Sequence, residues 1–337
     1  MIEYPVLLRR VLGGQGLSQD EAASFIGELM DGNYTPAQSA ALLAALAAKG
    51  ESVDEIVGAA RAMRERSLHV DHDLPMVVDV VGTGGDHANT LNISTMAALV
   101  VASAGVPVAK HGNRAASSAC GSADVLEAAG FPIEISPAVA GSMLRECSFT
   151  FMFAARYHPA MRNAAGVRRE LGVRTIFNLL GPLTNPASAS HAVVGVARES
   201  LVEPVGRALR GLGTRRGAVV HGRGGVDEVV ADARTLVYSF DEERERLWEL
   251  EPSDVGITEL PTPVGASVDE SRAAFLEILG GTQSAAADVV ALNAAVAFYV
   301  IGVEENLPSA FERARQLLRA GAAGKTFERA KELARRG

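Results

Sequence analysis

Met76-Val77-Val78-Asp79-Val80-Val81, running into Gly82-Thr83-Gly84-Gly85-Asp86, is the stretch whose reading decides the fold. Its first six residues are mostly apolar and β-branched, which suits a buried strand, and the run breaks off at glycines that punctuate a turn. Small residues from Ala97 to Gly105 then read as a helix, and Val106-Pro107-Val108-Ala109 as another short strand. Strand, loop, helix and strand in about 30 residues is the rhythm of a parallel α/β sheet. The same rhythm predicts strands at Pro132-Ile133-Glu134-Ile135, Phe149 to Phe153, His191 to Val196, Ala218-Val219-Val220 and Thr235 to Phe240. Helices are expected from roughly 268, 284, 308 and 325.

Upstream of this stretch the texture is helical. Ser18-Gln19-Asp20-Glu21, Thr35-Pro36-Ala37-Gln38 and Ser52-Val53-Asp54-Glu55 each place a hydroxyl and an acid or amide three residues apart, as in a capping box. Apolar residues follow at helical spacing, for example Leu42, Leu43, Ala45 and Leu46. The fold class expected is therefore α/β: a small α-helical N-terminal domain, 1–72, hinged to a large α/β domain, 73–337, with a central, mostly parallel sheet.

The 337 residues include 48% apolar residues and carry a net charge of −8, so a sizeable core is expected and disorder is not. The acidic balance, 40 Asp and Glu against 32 Lys and Arg, argues against nucleic acid as a partner. The basic C-terminal segment with Arg313, Arg319, Lys325 and Arg329 reads as the solvated face of terminal helices. Two cysteines, Cys120 and Cys147, fit a reducing, cytoplasmic setting, and no stretch looks apolar enough to span a membrane.

Four stretches carry chemistry. The glycine loop 82–86, followed by Thr90, Asn92, Ser94 and Thr95 at a helix start, suits an anion, although an ordinary turn capped by Ser94 or Thr95 has the same composition. Lys110-His111-Gly112-Asn113-Arg114, then Ser117, Ser118 and Ser122, should lie at the same strand-end edge, and the two loops together favour a polyphosphate. The segment from 156 to 174 holds five arginines and one glutamate, either a solvated helix face or an Arg fork for a carboxylate. Asp227-Glu228 after a strand is either a solvated turn or a pair of ligands for Mg²⁺, which takes carboxylates together with substrate phosphates.

These residues resemble the anthranilate phosphoribosyltransferases. The likeness rests on GTGGD at 82–86, Asn92-Ile93-Ser94-Thr95, KHGNRAASS at 110–118, GSADVLE at 121–127, His158-Pro159, VRRELGVRTIFNLLGPLTNP at 167–186, VHG and DE at 220–228, and Leu292-Asn293-Ala294-Ala295. It implies transfer of the phosphoribosyl group of 5-phosphoribosyl 1-diphosphate to the amine of anthranilate in tryptophan biosynthesis, with Mg²⁺, by a cytoplasmic homodimer. It also implies that part of 165–185 packs with the small domain. The diphosphate substrate would be held by Gly82, Gly85, Asp86, Thr90, Asn92, Ile93, Ser94 and Thr95. Lys110, His111, Gly112, Asn113, Arg114, Ala115, Ala116, Ser117, Ser118 and Ser122 would complete that site. Anthranilate would meet Gly82, Asn113, Arg168 and His111, and the metal Ser94, Asp227 and Glu228. Arg168 thus leaves the solvated-face reading, while its arginine neighbours stay in it. No acid or base is assigned. Gly224, Ala119 and 283–288 depart from the family's pattern. Two rivals are a pyrimidine nucleoside phosphorylase, separable by phosphorolysis of thymidine or uridine, and a non-catalytic nucleic-acid-binding relative, separable by an electrophoretic shift.

Overall fold

In a computed structural model that describes residues 3–86, 88–115 and 118–336, all three capping boxes form. The hydroxyls of Ser18, Thr35 and Ser52 accept from the amides of Glu21, Gln38 and Glu55, whose side chains bond back to the cap amides. These caps start α2 (Gln19–Met30), α3 (Pro36–Lys49) and α4 (Val53–Glu65), which follow α1 (Tyr4–Leu12). Glu55 is fully buried and also accepts from Leu17 N at 2.9 Å and Lys49 Nζ at 2.9 Å, so one carboxylate ties three turns together. The helices bury Phe25, Ile26, Leu42, Leu46 and Ile56 against one another.

The chain then enters β1 (Val78–Gly82), α5 (Ile93–Ser103), β2 (Val108–Gly112), α6 (Ser122–Ala128), α7 (Pro137–Cys147) and β3 (Phe149–Phe153). After α8 (Ala154–Tyr157), α9 (Arg162–Leu171) and α10 (Phe177–Leu180) come β4 (His191–Gly195), α11 (Val202–Gly211), β5 (Arg216–Gly222), β6 (Thr235–Phe240) and β7 (Glu245–Leu250). The seven strands order β3-β2-β1-β4-β5-β6-β7, the first five parallel and the last two pairings antiparallel. Strand order reverses beside β1, and the crevice outside the carboxyl ends at such a switch point is where open α/β sheets bind ligands. Four helices close the chain: α12 (Val268–Leu279), α13 (Ala285–Val300), α14 (Leu307–Arg319) and α15 (Ala322–Ala334). Helices α5 and α13 are apolar nearly all round and fill one face of the sheet. Among the described residues no helix is long and apolar enough to cross a membrane.

Two expectations need correction. Residues 132–135 form no strand: Ile133 and Ile135 are buried, but the segment lies between Pro132 and Pro137 and packs through side chains. Its Ile135 carbonyl accepts from Tyr157 Oη at 3.2 Å instead of from a ladder. Conversely, Glu-Arg-Leu-Trp-Glu-Leu at 245–250 is the edge strand β7, hidden in the sequence because only its last residue is fully buried. Helix α9 packs on α2 and α3, and α10 on α4, so Ala164, Val167, Ile176 and Phe177 share the core of the N-terminal helices. Asn163 Nδ2 donates to Met30 O at 2.6 Å across that contact. Arg64 of α4 reaches the other way and donates to the carbonyls of Leu183 (2.8 Å) and Leu212 (3.0 Å).

Candidate active site

Glycines bring the loops after β1, β4 and β5 close together. A Cβ on Gly82 would stand 2.3 Å from Asp227 Oδ2, and one on Gly195 would stand 1.7 Å from the Asp227 carbonyl oxygen. Both strand ends are therefore restricted to glycine because the acidic loop passes directly over them. Gly84 and Gly85 adopt φ of 67° and 73°, the left-handed region open to glycine, and Gly84 N donates to Asp227 Oδ2 at 2.6 Å. Beyond the glycines, Thr90 bridges to Val264 and Asn89 Oδ1 accepts from Ala119 N at 3.0 Å, which joins the first loop to the second. Asn92 precedes α5 but makes no side-chain cap; its Nδ2 donates to Cys120 O at 3.1 Å. Ile93, Ser94 and Thr95 form the first turn and neither hydroxyl caps the helix; the amides of Ile93 and Thr95 donate to the carbonyls of Leu91 and Asn92 instead.

The second loop begins inside the sheet. Lys110 is buried on β2, and its Nζ donates to Val80 O at 2.6 Å and to Ser94 Oγ at 3.3 Å. His111, next on the strand, is buried; Nδ1 lies 2.9 Å from Gly181 O, which fixes the proton on that nitrogen, and Nε2 has no partner among the described residues. Burial holds its pKa down to about 4. Gly112 leaves room for Ser122 Oγ and the Phe151 ring. Asn113 accepts from Ser122 Oγ at 3.2 Å through its carbonyl, and Ala115 N donates to Asp124 at 2.9 Å. Arg114 turns outward to Asp124 (3.1 Å) and Glu127 (2.8 Å), so its guanidinium is committed to surface carboxylates. Ser118 is half-buried beside the loop. Ala116 and Ser117 lie outside the described residues.

Acids outnumber cations where the loops meet. Asp227 and Glu228 are both buried, and Glu228 accepts from Ser94 N at 3.3 Å. Burial and the nearby Asp86 carboxylate push Asp227 up to about 7; burial and Asp227 push Glu228 well above the usual range. Asp79 on β1 is raised to about 6 by burial, although Lys110 and hydrogen bonds from Asn185 Nδ2 (2.7 Å) and His111 N (3.3 Å) oppose the shift. Lys110 is the buried cation among these carboxylates, and Asp86 Oδ2 is buried with no partner among the described residues. A site of hard oxygens with surplus negative charge fits a divalent cation that arrives with phosphate. Among the described residues no three acidic, His or Cys side chains form a metal cage, so such an ion would need oxygens from substrate or water as well. Asn293 of α13 steadies this loop: Oδ1 accepts from Val229 N at 3.0 Å and Nδ2 donates to Val229 O at 2.8 Å.

Residues 74–324 match the α/β domain of a glycosyl transferase family, and residues 5–67 match its helical bundle domain. An anthranilate phosphoribosyltransferase of Herpetosiphon aurantiacus is 48% identical over 93% of this chain and 94% of its own. The chain belongs to the anthranilate phosphoribosyltransferases. The crystal structure of the Thermus thermophilus anthranilate phosphoribosyltransferase superposes with a TM-score of 0.93 at 42% identity, covering 98% of this chain and 99% of that one. The Saccharomyces cerevisiae enzyme in complex with PRPP (phosphoribosyl diphosphate) and Mg superposes with a TM-score of 0.91 at 25% identity, covering 99% and 98%.

Not every residue expected from the anthranilate phosphoribosyltransferase likeness converges. Gly82, Gly85, Asp86, Ser94, Lys110, Asp227 and Glu228 surround one crevice, whereas Arg114 faces outward. Arg168 is half-buried on α9 with its guanidinium 5.5 Å from the Phe177 ring centre, and it makes no ion pair among the described residues. Its neighbour Arg174 corrects the reading of a solvated face: Nη1 donates to the carbonyls of Gly84 (3.3 Å) and Gly85 (3.2 Å). Sequence reasoning also gave no role to Asp79, Asn185 or His158. The His158 ring lies 5.0 Å from that of His111, tilted by 52°, and burial followed by the His111 charge lowers its pKa to about 3. Asp79 sat in plain view as the one acid in an apolar strand; the partnership with Asn185 spans 106 positions and left no local signal.

Proposed function

We propose that the chain transfers the 5-phosphoribosyl group from 5-phosphoribosyl 1-diphosphate to the amine of anthranilate, giving N-(5-phosphoribosyl)anthranilate and pyrophosphate in tryptophan biosynthesis. The observation that carries this is the crevice itself. Buried Asp227 and Glu228, the buried Lys110 and the start of α5, whose Ser94 amide donates to Glu228, meet at one strand-end edge in a chain of this family. Asp227, Glu228 and Ser94 would hold Mg²⁺, which when bound offsets the charge on the departing diphosphate. Lys110, whose ammonium spends two of its three donors on Val80 O and Ser94 Oγ, would offer a fixed donor to the same oxygens. A new N–C1 bond forms from the amine's electron pair as the C1–O bond to diphosphate breaks, and the extra proton on nitrogen leaves to solvent. The amine is neutral at pH 7, so placing it matters more than deprotonating it. His111 supports that role, since its neutral Nε2 is a buried acceptor without a partner among the described residues. Arg168, cationic and without an ion pair among the described residues, suits the anthranilate carboxylate.

In this reading residues 1–72, with part of 165–185, form the unit that closes over 73–337. Leu12, largely exposed on α1, is available to an interface in the homodimer, which sedimentation tests. The free Cys120 and Cys147 suit a cytoplasmic setting. Loss of anthranilate fluorescence on adding phosphoribosyl diphosphate and Mg²⁺, abolished by EDTA, is the expected result. No loss with folded protein would refute the reaction.

A further inference from the structure

Arg174 is the third residue past the end of α9, the helix that carries Arg168. Helix α9 is held at its start by Asn163 on the Met30 carbonyl and along its length by α2 and α3, so its far end is an extension of the N-terminal helical cluster. Gly172, in the left-handed conformation, turns the chain there and brings Arg174 back onto the glycine loop after β1. Its Nη1 donates to two successive carbonyls, Gly84 and Gly85, and a Cβ on Gly85 would stand 2.1 Å from that nitrogen. Nη2 is buried without a partner among the described residues. The charges around the guanidinium come from four elements: Asp86 after β1, Asp227 after β5, Glu51 between α3 and α4, and Arg198 after β4. One short segment thus bears the arginine read for the anthranilate carboxylate and a second arginine fastened to the loop read for the diphosphate.

We infer that Arg174 is a positioning residue that couples the two substrate sites, so that filling either one tightens the other. This rests on the proposed reaction. If phosphoribosyl diphosphate orders the 83–86 loop, the two carbonyls hold Arg174 and therefore the 168–174 segment; anthranilate held by that segment presents the loop in the same place. By linkage the enhancement is the same factor in both directions.

The test is calorimetric titration of phosphoribosyl diphosphate with Mg²⁺, alone and with saturating benzoate, which has anthranilate's ring and carboxylate but no amine to react. Saturation is set by a separate benzoate titration. In wild type the affinity should rise with benzoate by roughly fivefold or more, the usual scale of coupling. In Arg174→Gln the factor should fall to about one, and Arg174→Lys, which keeps one cationic donor, should lie between. Should the glutamine variant fail to melt cooperatively, the lysine variant alone decides, since it must lower the factor. A wild-type factor near one, or a factor unchanged in the variants however weak each binding becomes, overturns the coupling. If wild type neither binds phosphoribosyl diphosphate nor consumes anthranilate, the reaction fails instead.

Discussion

Replacing Gly82 by alanine adds one methyl group where the structure has no room for it. The new carbon would lie 2.3 Å from Asp227 Oδ2 and 2.9 Å from its Cγ, so the carboxylate must swing away. The swing breaks the 2.6 Å bond from Gly84 N, a contact to a charged group worth roughly 1.5–3 kcal/mol. Overpacking of this size costs about 1–3 kcal/mol of stability, which leaves a protein of this length folded at 25 °C. Catalysis should suffer more, because a displacement near 1 Å in a reacting array costs on the order of a hundredfold. Expected for Gly82→Ala are a modest fall in Tm, a fall in kcat/KM of about a hundredfold, and a higher Mg²⁺ concentration for half-activity. Gly166→Ala on α9 is the control, since nothing lies within 4 Å of its added carbon. Initial rates followed by anthranilate fluorescence across a Mg²⁺ series decide the matter. A Gly82→Ala enzyme within about threefold of wild type in kcat/KM, with unchanged Mg²⁺ dependence, would refute the claim that Asp227 must stand where it does.

Asp227 keeps its proton up to about pH 7 in the fold but only to 3.8 otherwise, so wild type loses stability as pH rises through that window and stays penalised above it. Asp227→Asn should therefore melt higher than wild type at pH 8 in EDTA, gain nothing from Mg²⁺ and lose turnover; a lower melting point in EDTA contradicts this. Lys110→Met strips the cation from among Asp79, Asp227 and Glu228 and should cost about 3–5 kcal/mol, read as a lowered denaturant midpoint at pH 7. An unchanged midpoint would mean the pocket acids are already neutral. His111 and His158 resist protonation in the fold to about 4 and 3, below the ordinary 6.5, so their contribution is complete above pH 6.5 and drains away as pH falls toward 4. His158→Phe should flatten that acid limb by about one proton, checked by melting curves from pH 4 to 7; equal slopes would show that His158 titrates normally.

Local chemistry made much of the molecule legible. Capping boxes at Ser18, Thr35 and Ser52 write their helices within four residues, and β1 announces itself by its branched residues. Periodicity misled where burial and pairing part company. Residues 132–135 alternate like a strand yet pack only side chains, while β7 pairs its backbone with most of its side chains in water. In the crevice, the loops were readable because glycine, hydroxyl and acid cluster along the chain. Arg174 was not, since five arginines in one segment look alike until the fold shows which of them meets a carbonyl. The pairing of Asp79 with Asn185 was hidden by distance along the chain, since the two partners lie 106 positions apart.

The two bonds from Asn293 to the backbone of Val229 give the adjacent acids, Asp227 and Glu228, a foundation outside the sheet. Val229 immediately follows Glu228, and its amide and carbonyl are gripped by a side chain of a buried helix rather than by a neighbouring strand. An amide presents donor and acceptor side by side, as a peptide does, so α13 supplies one rung of a ladder the sheet does not extend to. The accuracy of the acids is thus borrowed from the seating of a helix, and that seating depends on α14, which lies along α13. Warming that loosens the C-terminal helices will silence the enzyme while its strands are still paired.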